Sequence, residues 1–185
     1  MRSIGRLLLR LTVGGFFFGH GTQKLFGWFG GHGLEPTGQF FESLGMRPGR
    51  RNALAAGVAE SAGGAGILAG FATPLAAGAL TSVMLTAINR VHLKNGPWVS
   101  NGGYEYNVVL IAAVLALAET GPGPLSVDGD RFNGSRWATL ALLLGALGAV
   151  GAHVAAELGA PPEPVAQPEQ AAAEPAPEPE PVAAS

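Results

Sequence analysis

Apolar residues fall in five stretches, 4–21, 52–70, 75–92, 104–120 and 137–156, separated by polar or Gly/Pro-rich connections. Each is about 17 to 20 residues long, and at 1.5 Å per residue a helix of that length approaches the roughly 30 Å of a bilayer core. The pattern predicts an all-α, polytopic membrane helix bundle. Polar residues interrupt the stretches at particular places: Arg6 and Arg10 in the first, Glu60 in the second, the run Asn89-Arg90-Val91-His92 at the end of the third, and Glu105 and Glu119 at the edges of the fourth. The fifth carries only His153.

Between the first two stretches, 22–51 reads as a long loop rich in Gly and aromatics. Gln39-Phe40-Phe41-Glu42-Ser43-Leu44 predicts a short interfacial helix within it, stopped by Gly45. Gly121-Pro122-Gly123-Pro124 ends the fourth stretch in a rigid turn, where Ser126 or Asp128 is placed to cap the next segment. The Gly-xxx-Gly pairs Gly15/Gly19 and Gly66/Gly70 predict close helix contacts. Arg2 and Arg6 before an apolar run resemble a secretory signal, but Arg10 interrupts the run and no small-residue cleavage site follows, so an uncleaved first span is expected.

Composition supports the membrane reading. Of 185 residues, 13% are charged, against roughly 25% in a soluble domain, and 29 are Gly. The segment 159–185 holds eight Pro and five Glu with no basic residue, and is expected to be disordered. Those glutamates account for the net charge of −2, so the helical part is mildly basic. This balance gives no sign of a nucleic-acid partner. With no Cys, thiol chemistry is excluded, and a redox role needs a bound cofactor or a partner protein. Nucleophile-elbow, phosphate-loop and zinc-protease patterns are missing from the sequence, and no metal site is expected.

Charges inside spans cost about 2.5 to 3.5 kcal/mol each on insertion scales, so each needs a partner or a role. Antiparallel packing of the first two stretches predicts an Arg10–Glu60 pair, either a helix lock or a functional site. Alternating topology collects His20, Lys24, Asn89, Arg90, His92, Lys94, Tyr104, Glu105 and Tyr106 near one surface. Such a cluster suits an anionic or quinone-like head group, or a partner protein. His20 and His92 on one face permit a bis-histidine haem, but nothing in their spacing demands one, and haem is disfavoured. The candidate functional residues are therefore Arg10, His20, Lys24, Glu60, Arg90, His92, Tyr104 and Glu105.

In order along the chain, Gly19-His20-Gly21, Gln23-Lys24-Leu25-Phe26-Gly27, Phe40-Phe41-Glu42-Ser43-Leu44-Gly45, Glu60, Gly70 to Pro74, His92, Gly103-Tyr104-Glu105-Tyr106 and Gly121-Pro122-Gly123 resemble the DoxX family of small bacterial membrane proteins. The resemblance covers about residues 4–130. It implies a four-helix membrane core in the bacterial cell membrane, and some members resemble subunits of thiosulfate:quinone oxidoreductase or associate with redox enzymes. It assigns no agreed catalytic role to any residue. The expected organisation is a four-helix domain over 1–130, a fifth spanning helix over 131–158 and the tail. The expected function is a non-thiol subunit of a redox-linked complex, with quinone the expected cofactor, and a lipid bilayer, a redox partner protein and further copies of the chain as partners. The competing expectation is a non-catalytic scaffold or small transporter.

Overall fold

A computed structural model describes residues 4–159, so the Pro/Glu tail lies outside the described residues. All regular structure among them is helical: α1 Ile4–Phe26, α2 Leu34–Ser43, α3 Gly49–Ala69, α4 Thr73–Ala87, α5 Glu105–Thr120 and α6 Ser135–Glu157. Each predicted apolar stretch forms one helix. The first runs five residues further than predicted, because no residue between Thr22 and Phe26 opposes a helix and Gly27, at φ 73°, is the first left-handed position. The short helix in the connection starts earlier than predicted, at Leu34, with Pro36 in its first turn where no amide donor is needed. α3 ends on Gly70 (φ 59°), with the Phe71 amide donating to the Gly66 carbonyl at 2.8 Å. α4 continues into a π-helical turn, Ile88–His92.

Glycines bring α1 and α3 into backbone contact. A Cβ on Gly14 would lie 2.8 Å from the Leu68 nitrogen, and one on Gly57 would lie 2.7 Å from the Leu25 side chain. Cβ atoms on Gly21 and Gly64 would fall on the backbones of Ser61 and Phe18. Gly14/Gly21 and Gly57/Gly64 are spaced by seven, so each pair lies on one face of its helix. The predicted pair Gly15/Gly19 plays no such part: both face open space. Gly66 does pack closely, since a Cβ on it would lie 3.0 Å from the Ala76 side chain, while Gly70 serves as a helix terminator. On the other side of the bundle α6 lies along α4, with Gly78 against Leu144 and Gly145 against Thr81. Phe17, Ile67, Leu80, Val114 and Leu117 fill the centre.

One end of the bundle is closed by the connection 121–134. Arg10 donates to the carbonyls of Pro122 at 2.9 Å and Leu125 at 2.5 Å, and Arg6 to that of Thr120 at 2.7 Å. The expected Arg10–Glu60 pair is therefore not formed. The glycine contacts set Gly14 opposite Gly64 and Gly21 opposite Gly57, which puts Arg10 level with Leu68, eight residues or about 12 Å from Glu60. Helical side chains tilt toward the N-terminus, so in this antiparallel pair Arg10 and Glu60 also point apart. Asp128 caps a helix 55 residues earlier in the chain instead of the next one: its carboxylate accepts from the amides of Ala72 (3.0 Å) and Thr73 (2.9 Å) and from the Thr73 hydroxyl (2.8 Å). Among the described residues one helix, Ser135–Glu157, is long and apolar enough to cross a membrane by length and composition, with a mean hydropathy of 1.8.

Gly64→Ala forces α1 and α3 apart and should cost about 1–3 kcal/mol, whereas Gly15→Ala should be neutral or stabilising by a few tenths to about 1 kcal/mol. Thermal unfolding in detergent checks both, and equal effects would refute the assigned interface. Asp128→Ala leaves two buried amides of α4 without an acceptor and should cost about 1–3 kcal/mol, read from the same unfolding curves, with Ser126→Ala as a milder control.

Candidate functional site

α3 and α4 touch closely near the closed end, where Gly63 meets Leu80 and Gly66 meets Ala76. Toward the other end the residues lining the space between helices are small: Ala55, Ala56 and Ala59 on α3, and Gly151, Ala152 and Ala155 on α6. Missing side-chain volume there becomes a cavity of about 860 Å³. Its walls are mostly apolar: Phe17 from α1, Phe40, Phe41 and Leu44 from α2, Met84 from α4 and Leu110 from α5. α2 is held over this end by α3, since Gly49 packs on Gly38 and donates its amide to the Glu42 carboxylate.

Into this apolar chamber the fold places an ion pair. Lys24 Nζ donates to Glu60 Oε2 at 2.6 Å, with the Glu60 side chain 4% exposed and that of Lys24 25%. The α1–α3 register produces the pair. Lys24 lies one turn beyond Gly21 and Glu60 one turn beyond Gly57, and the N-terminal tilt of both side chains points them at each other. Five of the eight residues expected from sequence line the cavity: His20, Lys24, Glu60, Arg90 and His92. Three do not. Arg10 is at the closed end, and Tyr104 and Glu105 anchor the start of α5, their amides donating to Gly96 O at 3.2 Å and Pro97 O at 2.8 Å.

The rim is polar. His20 Nδ1 lies 3.0 Å from Gln23 Oε1, and His92 Nδ1 lies 2.7 Å from the Gly102 carbonyl, which requires the proton on that nitrogen. Arg90, on the π-helical turn, reaches across to α6, 2.9 Å from His153 Nδ1 and 3.1 Å from Glu157 Oε1. π turns recur at functional sites because they re-aim side chains, and here the turn carries both Arg90 and His92. Sequence reasoning missed Arg51, Asn52 and Asn107, all of which line the cavity. Asn107 is 7% exposed and its amide nitrogen meets only the sulfur of Met84, at 3.5 Å. A lone amide beside Val108-Val109-Leu110-Ile111 was a usable signal of the same kind as Glu60. Among the described residues no group of three or more His, Cys, Asp or Glu is placed to hold a metal ion.

The DoxX family profile matches residues 5–93, the segment that carries α1 to α4, the π turn and all five cavity-lining residues expected from sequence. The chain is 35% identical over 134 residues to CatD of Bacillus subtilis, named provisionally as an oxidoreductase; the match spans 72% of this chain and 92% of that protein. No solved structure matches. The relative is covered nearly end to end and the family profile falls on the helices that build the cavity, so the chain belongs to the DoxX family of membrane-associated proteins.

Proposed function

We propose that the protein is a multi-pass, cysteine-free subunit of a redox-linked complex in the bacterial cell membrane, and that its cavity takes a quinone-class ligand delivered or reoxidised by a partner oxidoreductase. Helix lengths support several crossings: α1, α3 and α6, with 23, 21 and 23 residues, reach about 32–34 Å, and α4 with its π turn about 30 Å. Leu8, Phe16, Val58, Val109, Leu143, Leu147 and Val150 are exposed on the outside of the bundle, more apolar surface than a water-soluble monomer presents. The charges of α1 are sorted to suit a bilayer, Arg6 and Arg10 at one end and Lys24 at the other.

The observation that carries the redox reading is a buried carboxylate paired with a partly exposed lysine in a mostly apolar chamber of ligand size. Pockets for flat organic ligands are mostly apolar with a few placed polar groups. Lys24 supplies a donor to a carbonyl oxygen, Glu60 an acceptor for a hydroxyl, and the pair together can give or take a proton at that oxygen. Electrons have no thiol route in this chain, so they belong to the ligand and the partner. The similarity to a protein named as an oxidoreductase supports the same direction.

Lys24–Glu60 also ties α1 to α3, which favours a second reading as a helix lock in a scaffold. The two separate experimentally. Lys24→Met strands a buried carboxylate and should cost about 3–5 kcal/mol, whereas Lys24→Met/Glu60→Leu, removing both charges, should unfold close to wild type. In membranes carrying the double variant, naphthoquinone binding and reduction should be lost although the protein is folded. Retained binding leaves only the lock. Ala59→Phe should block quinone binding more than tenfold with an unchanged melting temperature. A purified complex with neither quinone nor an oxidoreductase would overturn the proposal.

A further inference from the structure

Positive charge collects at the mouth of the cavity where α3 approaches the last turn of α6. Three arginines crowd the start of α3, Arg47, Arg50 and Arg51, although a helix N-terminus already carries about half a positive charge and disfavours cations. Two are answered by carboxylates of α2: Arg50 Nε lies 2.5 Å from Glu35 and Arg47 Nε 3.6 Å from Glu42. Arg51 is not. Among the described residues its guanidinium finds only the Ala155 carbonyl, 3.4 Å away, and it lines the cavity. Arg90 meets the same turn of α6 from the opposite side, and its partner Glu157 is 59% exposed on the outside.

With Lys24 paired to Glu60 and Arg90 to Glu157, the cation that lines the chamber without a carboxylate among the described residues is Arg51, itself exposed at the mouth. The partial negative charge at the C-terminus of α6 is matched by the partial positive charge at the start of α3, so it does not offset this charge. Two buried amides face the same space. Asn52 and Asn107 are 9% and 7% exposed, both line the cavity, and each has only its nitrogen bonded, to Pro48 O at 3.0 Å and Met84 Sδ at 3.5 Å. Neither amide oxygen has a hydrogen-bond partner among the described residues. Because both residues line the chamber, their amides are available for directional contacts to a ligand's polar groups.

We propose that the cavity, besides the neutral quinone head placed at Lys24–Glu60, binds at its mouth an amphipathic monoanion, an apolar ring or chain carrying one ionised oxygen group, with that group held by Arg51 and the apolar body between the small residues of α3 and α6. The inference rests on the reading of the cavity as a ligand chamber but not on the redox chemistry. The same chemistry can come from a membrane lipid or from a free aromatic acid. Both predict a charge-assisted bond to the guanidinium and loss of affinity when the charge is removed.

The test is binding to the full-length protein in detergent, by calorimetry, of two matched pairs: 2-naphthoate with 2-naphthol, and dodecanoate with dodecanol. At least one anion should bind roughly tenfold or more tightly than its neutral partner, which corresponds to about 1.4 kcal/mol. Preference confined to dodecanoate identifies a lipid-like ligand, and preference confined to naphthoate a free ring acid. Arg51→Gln, which keeps a donor for Ala155 O but removes the charge, should erase the preference, and Arg51→Lys should keep most of it. Ala59→Phe should abolish binding of all four. Equal binding of acid and alcohol, or a preference that survives Arg51→Gln, overturns the charge assignment while leaving the chamber intact. Binding that survives Ala59→Phe, or no binding of any probe, overturns the chamber itself.

Discussion

Backbone contact between α1 and α3 sets most of the rest of the structure. Four glycines, two on each helix and seven residues apart, let the helices approach until an added methyl group would collide with main chain at Gly14, Gly21 and Gly64 and with the Leu25 side chain at Gly57. Such an approach tolerates no sliding, so it fixes the register as well as the distance. The register dictates the pairing of Lys24 with Glu60, and also the isolation of Arg10, whose charge is spent on carbonyls of the connection 121–134. In a membrane, where apolar side chains gain nothing by leaving lipid for each other, close backbone packing of this kind is the main non-polar source of helix association.

Small residues have opposite effects at the two ends of the bundle. Near the closed end, Gly63 and Gly66 accept Leu80 and Ala76, and Gly145 accepts Thr81, so absent side chains bring helices together. Nearer the open end, Ala55, Ala56 and Ala59 of α3 and Gly151, Ala152 and Ala155 of α6 line one cavity, and the same smallness leaves empty space. The difference lies in the connections. α3 and α4 are joined by only three residues after Ala69, which holds their ends together, while α2 and the π turn are inserted where they diverge. A chamber that is the product of divergence, with polar groups only where a register forces them, is suited to a flat apolar ligand with few polar atoms.

The helices themselves were legible as apolar stretches, with ends marked at Gly70 and at the Gly/Pro run 121–124, whereas the end of α1 was not, because glycines also lie inside these helices and Gly21 does not stop α1. The cavity-lining polar residues were half legible. His20, Lys24, Arg90 and His92 share a face by alternating topology alone, but which carboxylate meets which cation depends on a glycine register that periodicity does not encode, since Gly14 and Gly15 look alike in sequence and only one touches α3. Alternating topology collected Tyr104, Glu105 and Tyr106 together, and of the three Tyr106 lines the cavity, beside Asn107, which the pattern did not single out. Asp128 was legible as a cap but not as the cap of α4, because its partners are 55 residues away.

The match to the family ends at residue 93, just past His92, and this boundary separates two kinds of contribution. Everything that supplies the ion pair and the histidines comes from before it, on α1, α3 and the π turn, whereas the walls completed by α5 and α6 bring Leu110, Asn107 and the small residues of the mouth. Arg51 and Arg90 both cross from the matched segment to the last turns of α6, so the position of α6 decides how wide the mouth stands and how much of either guanidinium a ligand can reach. α6 is held to α4 by Gly78, Gly145 and Gly148 along its middle, and by these arginines at its end. Chemistry and access are thus assigned to different parts of the chain: the polar groups are positioned by a contact that cannot slide, and the opening is governed by a helix tethered at that end by two long, flexible side chains.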